Sequence, residues 1–299
     1  MCVCFLICFF AISIILQVSV VFLILFKYTV VKRQNEKDDK SLHLLVSQSI
    51  DVLMPEHEQK PKKSKRPLWS YFFPIIPSIV FIIGFIPVVV LFFILHYFFH
   101  YFSFHTLWHF VLLPIIIYLG AVLLFLSELY ISGGIIKLFW ITYQPGTHEY
   151  SFRNKNTFKW TLICVLYTPF RKFLEIFPLG KTKQIYLRLL GMKIGKNSLV
   201  GGVIKDPCLT EFGDNVTMGE YAIIYGHIHN MQYETIFMDR IRVGNNCVIG
   251  AGAIIMPGAV LEDDVVVAAG ALVSKGQVLT KGKIYAGIPA KELSIKPKE

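Results

Sequence analysis

The chain has 299 residues, of which 54% are hydrophobic, with a mean hydropathy of +0.55 and a formal net charge of +10. A soluble enzyme of this length is rarely so apolar, so the composition points to membrane-spanning segments. The positive charge suits anionic lipid headgroups or a phosphate-bearing cofactor; no zinc-finger or RNA-recognition signature accompanies it, and nucleic acid is set aside as a partner.

Residues 3–26 carry no charge and are long enough, at roughly 36 Å as a helix, to cross a bilayer. The segment starts uncharged, runs long and ends on Lys27, Lys32 and Arg33, unlike a cleaved leader, so residues 1–31 are expected to form an uncleaved anchor. A polar linker follows over 32–67 and closes on KPKKSKRP, a solvated tether that also suits acidic lipid heads. Residues 67–127 then contain no Asp, Glu, Lys or Arg, enough for two spans near 68–95 and 107–126. Trp69 and Trp108 stand near the span starts, as in interfacial belts. The excess of Lys and Arg in the linker and the C-terminal part predicts an integral membrane protein of about three spans with its last domain on the cytosolic side.

His96, His100, His105 and His109 fall in two pairs four apart, each able to share a helix face. An amphipathic belt at the headgroups, where histidine is tolerated, accounts for them, and no metal is expected. Residues 131–143 read as an interfacial or re-entrant end to the hairpin domain 68–143. The connector 144–190 holds FKWTLICVLYTPFRKFLEIF, whose apolar and basic sides predict an amphipathic helix lying on the membrane surface. Six cysteines, at 2, 4, 8, 164, 208 and 247, make neither a CxxC pair nor a disulfide framework, which fits a reducing compartment.

The last domain, 191–299, has a different rhythm. Aliphatic residues recur every six positions at Val243, Ile249, Ile255, Leu261, Val267 and Val273. The same step runs through Ile194, Val200, Phe212, Met218 and Ile224, with Asp206 the one polar occupant. Small residues such as Ala253, Ala259 and Ala271 take the fourth position after the register residue, and glycines such as Gly195, Gly213 and Gly244 follow directly behind it. This is a hexapeptide repeat, which winds a parallel β-helix of short flat faces, here about four coils. The preceding helices should cover one end of the stack and the tail after Val273 the other, because open edges invite pairing. Ile224 and Val243 are 19 residues apart, one more than three hexads, so a loop carrying YGHIHNMQYETIFMDR is extruded there.

VGNNCVIGAGAIIMPGAVLEDDVVVAAGALVSKG followed by AGIPAK resembles the hexapeptide-repeat acyltransferases, such as the galactoside and maltose acetyltransferases. The upstream YQPGTHEYSFRNKNTFKW and YLRLLGMKIGKNSLVGG resemble the C-terminal membrane and transferase region of ε-poly-lysine synthetase-type proteins, without their adenylating and carrier domains. The resemblance implies an α-helical transmembrane region followed by a left-handed parallel β-helix, which transfers an acyl group, acetyl above all, from coenzyme A to a hydroxyl or amine of a membrane-associated or other small acceptor. It also implies a homotrimer with sites between neighbouring prisms, and a loop histidine as general base. His229 occupies the slot preferred for that base; His227, after Gly226, matches the Gly-His start of the galactoside-type loop, and both stay open. Glu234 is a weak candidate to orient the ring. By the same resemblance Ala251, Ala269, Ser274, Lys275 and Lys291 line the coenzyme A site, Lys291 standing where relatives carry arginine, and Gly287, Pro289 and Ala290 shape the closing loop.

Two variants keep the fold and change the chemistry: an amide-forming transferase fed by carrier-bound pantetheine, and a catalytically silent membrane scaffold. A zinc hydratase on the same prism needs three histidines, and this prism offers only His227 and His229.

Overall fold

Long runs without a charge to solvate form helices that leave apolar side chains outward. In a computed structural model, which describes residue 73 and residues 75–100, 106–176 and 181–293, these are α1 (Ile75–Gly84), α2 (Ile86–Phe99) and α3 (Leu107–Leu138). Two continuous stretches, Ile75–Phe99 and Leu107–Leu138, are long and apolar enough to cross a membrane by length and composition. Their apolar side chains are largely exposed, among them Ile79, Ile86, Val111 and Ile115. The anchor expected over 1–31 and the linker over 32–67 lie outside the described residues. The stretch Leu95–Phe110 belongs to one compact unit; Gln59–Ile94 with Val111–Glu299 form a second, which holds the prism and its covering helices.

At about 1.5 Å per residue α3 is roughly 48 Å long, more than a bilayer core needs. Its last turns are used differently: Leu129, Ser132, Gly133 and Ile136 are buried, and a Cβ on Gly133 would touch Leu189 and Tyr186 at 3.0 Å. Residues 131–138, expected to be re-entrant or interfacial, are therefore the protein-packed end of one continuous helix.

The connector starts with a strand, β1 (Gly146–Glu149), and continues into α4 (Lys155–Ile176) and α5 (Thr182–Leu189). α4 is amphipathic as expected, but its apolar side is covered by protein. Ile163, Leu166, Tyr167, Phe170 and Leu174 are buried, and the Tyr167 hydroxyl donates to the Ile204 carbonyl at 2.8 Å. The correction has a simple cause: neighbouring helices offer apolar partners, Phe170 meeting the rings of Phe81 in α1, Phe125 in α3 and Tyr186 in α5, which the periodicity of the helix alone does not reveal.

Short strands follow, most of two residues with one side chain in and one out. β2 (Lys193–Ile194), β3 (Leu199–Val200) and β4 (Val203–Ile204) make the first coil, and β5 (Thr210–Phe212), β6 (Thr217–Met218) and β7 (Ile223–Ile224) the second. A hairpin of β8 (His227–Asn230) and β9 (Thr235–Met238) interrupts the winding. Then come β10 (Ile241–Val243), β11 (Val248–Ile249), β12 (Ile254–Ile255), β13 (Val260–Leu261), β14 (Val266–Val267), β15 (Leu272–Val273), β16 (Val278–Leu279), β17 (Ile284–Ala286) and β18 (Lys291–Glu292). Strands one coil apart pair in parallel, giving three sheets in the orders β16-β13-β10-β5-β2, β18-β17-β14-β11-β6-β3 and β15-β12-β7-β4. This is the expected left-handed parallel β-helix behind a helical region. Met218, Ile224, Ile249, Ile255, Val267 and Val273 are fully buried along its axis, and each such side chain contributes about 1.5–3 kcal/mol relative to exposure.

Three details depart from the periodic reading. The step of six continues past Val273 to the buried Leu279 and Tyr285, so the stack is longer than the twelve register positions. The first coil is shorter on one face: Ile204, not Asp206, pairs with Ile224 and fills the interior slot. Gly201 and Gly202 permit this, since a Cβ on either would lie within 2.5 Å of a backbone oxygen of the next coil. The extruded loop is ordered, with β1 pairing antiparallel to β9 and β9 to β8.

Both ends of the stack are closed. Lys183 of α5 donates to the carbonyls of Gly201 and Gly202 at 2.9 and 2.7 Å, and Gln184 to that of Ser198 at 2.8 Å. At the far end β18 turns back on β17, and the Ala290 N–H donates to the Leu272 carbonyl at 2.7 Å. One corner column uses residues that tolerate left-handed backbone, Asn197, Asn215, Asn246 and Asp264, with φ of 55–62°. Their side chains stack as an amide ladder, Asn215 to Asn246 and Asn246 to Asp264 at 3.0 Å each.

Candidate active site

Shortening the first coil displaces Asp206 from the axis and places it under the hairpin. It is fully buried and followed by a 3-10 turn, Pro207–Leu209. A buried carboxylate is tolerable only when hydrogen-bonded throughout. Here Oδ1 accepts from the Tyr143 hydroxyl at 2.7 Å and the Trp160 indole N–H at 3.2 Å, and Oδ2 from the Gly226 N–H at 2.7 Å. His227 Nδ1 lies 2.9 and 2.7 Å from the two oxygens. Burial by itself raises the Asp206 pKa, but the charge and hydrogen bond of His227, with those of Tyr143 and Gly226, outweigh it and hold the carboxyl below its ordinary value. Burial, then the Asp206 charge, pushes the Tyr143 phenol well above its usual range, so it stays a donor.

This arrangement determines what His227 can do. With Nδ1–H donated to the carboxylate, the neutral ring has its lone pair on Nε2, a tautomer assigned from the hydrogen bonds. The backbone is adapted to the contact: a Cβ on Gly226 would stand 2.6 Å from the Asp206 Cβ.

His229 lies two residues on along β8, on the same side, with its ring centroid 5.1 Å from that of His227. Trp160 meets both rings edge-on, at 4.9 and 5.2 Å, and Tyr150 approaches His229 at 4.8 Å. Although one edge of His229 is open to solvent, these rings desolvate it. Desolvation first, then repulsion by His227, lowers its pKa to about 4, against a smaller opposing pull from Asp206. Glu234 does not reach either imidazole through a hydrogen bond; it is exposed at the tip of the hairpin, where its carbonyl accepts the Tyr150 N–H at 2.7 Å.

The two histidines open onto a recess of about 250 Å³ between the prism and α4. Trp160, Cys164, Tyr167, Thr168 and Arg171 line it from the helix, and Lys205 and Tyr225 from the prism. The helix residues recur at steps of three and four, one stripe of a single face.

The residues expected at the donor site fall into two groups. Ala251 and Ala269 stack at one corner, both exposed, with the Gly270 N–H donating to the Ala251 carbonyl at 2.9 Å. Gly287 continues this column by accepting from the Leu272 N–H at 3.0 Å. Ser274 and Lys275 occupy the next corner, on the hairpin side, where the Lys275 ammonium sits over the Phe237 ring at 3.6 Å. Gln277 links that corner to the closing loop, accepting from the Ser274 N–H at 2.9 Å and donating to the Ala290 carbonyl at 2.8 Å. Lys291 is exposed on β18. From Ala251 to the next corner is about five residues at ~3.3 Å each, roughly 16 Å, so one chain does not bring both groups to one point. A Cβ on Gly252 or Gly270 would meet nothing within 4 Å, which leaves the alanine corner open for an extended ligand to approach the backbone. Among the described residues, no group of three or more His, Cys, Asp or Glu could hold a metal ion.

Asp206, Tyr143 and Trp160 were not assigned a role from sequence. Asp206 carried a signal, as the single polar residue in an aliphatic register; Tyr143 and Trp160 carried none, because α4 and the end of the α3 connection reach the carboxylate only through tertiary packing.

Residues 240–275 match the family described as bacterial transferase hexapeptide (six repeats). No curated protein matches the chain in sequence. Among solved structures, a maltose O-acetyltransferase from Clostridium difficile 630 aligns with 20% identity over 42% of this chain and 83% of its own, at a TM-score of 0.35. A hexapeptide-repeat acetyltransferase from Vibrio cholerae O1 biovar eltor, complexed with acetyl coenzyme A, aligns with 19% identity over 41% and 81%, at 0.34. A galactoside acetyltransferase in complex with coenzyme A gives 19%, 41% and 77%, at 0.33. Within the C-terminal prism, residues 240–275 carry the hexapeptide repeat of that family.

Proposed function

We propose that the protein is a membrane-anchored acyltransferase that moves an acyl group, acetyl in the simplest case, from coenzyme A to a hydroxyl or amine, with His227 as general base. The observation that carries this is the buried Asp206 carboxylate held against His227 Nδ1 at the foot of the hairpin, beside a recess. A buried charge is tolerable only when paired and hydrogen-bonded, and here the pairing with Nδ1 directs the imidazole lone pair outward.

The acceptor O–H or N–H donates its proton to His227 Nε2 as the heteroatom attacks the thioester carbonyl. The new carbon–oxygen or carbon–nitrogen bond forms, the carbon–sulfur bond breaks, and the imidazolium returns the proton to the leaving thiolate, so that coenzyme A departs as the free thiol. Base assistance of this kind contributes about 10²–10⁴ in rate. Asp206 positions the ring and stabilises the imidazolium without itself taking the proton. His229, with its pKa lowered to about 4 by desolvation and by His227 and with no carboxylate on its ring, is the less suited of the two in this reading, against the order preferred from sequence; its place beside Trp160 and Tyr150 suits a wall of the acceptor site.

In this reading the pantetheine arm follows the small side chains of Ala251 and Ala269, and Lys275 and Lys291 meet the anionic nucleotide end. Because Ala251 and Ala269 stand at a different corner from His227, the arm would reach the base from a neighbouring prism, which makes a homotrimer the working assembly. The apolar helices would hold the site at the cytosolic face, beside membrane-bound acceptors. The experiment is replacement of His227 and His229 by Ala one at a time in full-length protein, followed by thiol release from acetyl coenzyme A in the presence of an extract of membrane lipids and metabolites. Loss of release in the His227 variant with most of it kept in the His229 variant is expected; unchanged release in both would sink the mechanism.

A further inference from the structure

The recess beside His227 has a chemical bias that the transfer reaction does not explain. Its far end holds Lys205 and Arg171, with Lys172 and Glu175 nearby on α4. Glu175 is already engaged, 2.6 Å from Arg171 and 3.3 Å from Lys172. Of the two cations that line the recess, Arg171 is paired with Glu175, whereas Lys205 has no ion pair or side-chain hydrogen bond among the described residues. Its ammonium instead lies 5.7 Å from the Tyr225 ring centre, at the outer limit of cation–π attraction. Burial lowers the Lys205 pKa, and Arg171 and Lys172 add to this by repulsion, opposed by Glu175. A partly buried cation in such surroundings lacks a counter-charge.

We propose that Lys205 and Arg171 form a phosphate subsite, and that the acceptor is a phosphorylated molecule whose nucleophile reaches His227 while its phosphate sits at this end. The stripe from Trp160 to Arg171 spans eleven residues of helix, roughly 16 Å, which sets the longest separation between the reacting atom and the phosphate. A phosphate monoester carries about −1.5 to −2 charges and three acceptor oxygens, enough to engage the Lys205 ammonium and the Arg171 guanidinium together. The inference rests on the transferase reading of the same recess, and the phosphate has two possible sources, a lipid headgroup exposed at the membrane or a water-soluble metabolite.

Binding is therefore measured without turnover, on full-length protein in phosphate-free maltoside micelles, by calorimetry with two probes: pyrophosphate, and phosphatidic acid incorporated in the micelle. Saturable binding of at least one probe is expected. Lys205→Gln should weaken it about tenfold or more, the usual scale for one charge-assisted contact, and Lys205→Arg should restore it to within about threefold, which separates loss of charge from loss of fold. Preference for pyrophosphate identifies a soluble acceptor, and preference for phosphatidic acid a lipid one. Failure of both probes to saturate, or equal affinity in wild type and Lys205→Gln, overturns the proposal. Protein that binds phosphate through Lys205 but never cleaves acyl coenzyme A refutes the reaction while leaving the anion subsite in place.

Discussion

Replacing Asp206 with Asn changes a single atom and tests the site most directly. The carboxylate accepts from four donors: His227 Nδ1, the Tyr143 hydroxyl, the Trp160 indole and the Gly226 N–H. An amide offers one oxygen, so in either orientation its NH₂ faces groups that are themselves donors. The His227 ring and the Tyr143 hydroxyl can turn acceptor towards the amide, so one donor, the Gly226 N–H or the Trp160 indole, is left without a partner in a fully buried position, and the variant should lose about 1–3 kcal/mol of stability. The kinetic effect is separate. An amide N–H facing Nδ1 forces the imidazole proton to Nε2, the atom that must accept a proton, and turnover should fall by about 10²–10⁴. Thiol release from acetyl coenzyme A gives kcat and KM, and the KM for the donor should hardly move, since Asp206 does not touch it. A denaturation curve in micelles gives the stability. The pH dependence has a definite sign. The folded Asp206 pKa is depressed, so its contribution is complete above the unfolded value of about 3.9 and is lost as pH falls through the folded value; Asp206→Asn should lack that loss below about pH 4. If Asp206→Asn does not fold, Tyr143→Phe removes one donor only and should slow turnover several-fold. A folded Asp206→Asn protein with turnover within about threefold of wild type would refute the positioning role.

Other perturbations give further checks. His229→Asn should retain turnover within about tenfold; and since His229 has a folded pKa near 4 against an unfolded 6.5, wild-type stability should decline as pH falls from about 6.5 to 4, with the decline reduced in the variant and no difference above pH 7, as melting curves at pH 8 and pH 5 would show. Gly226→Ala brings a Cβ against Asp206 and should cost about 1–3 kcal/mol with at least a tenfold drop in thiol release, because backbone and carboxylate must separate. Ile255→Ala opens a cavity at a fully buried axial position and should destabilise the prism by about 2–5 kcal/mol, measured by chemical denaturation, with little change in the KM of material that remains folded.

The amino-acid sequence alone determined the prism, its end-caps and the hairpin position, because a six-residue step is a local, repeated constraint: from Ile249 to Val273 each residue states its place by counting from the last. It also marked His227 and His229, which interrupt that count, and the presence of the two apolar helical stretches, though not their ends: α3 runs to Leu138, past the expected 126. Tertiary structure alone decided which histidine meets a carboxylate. The carboxylate on His227 comes from Asp206, 21 residues earlier, and its other donors come from Tyr143 and Trp160 outside the repeat. No periodicity links these positions; they meet because Gly201 and Gly202 shorten one face of the first coil, and because α4, packed against neighbouring helices through Phe170, lays Trp160 beside the hairpin. Long-range packing of this kind depends on shapes on both partners at once, and a single chain read in order shows only one of them at a time.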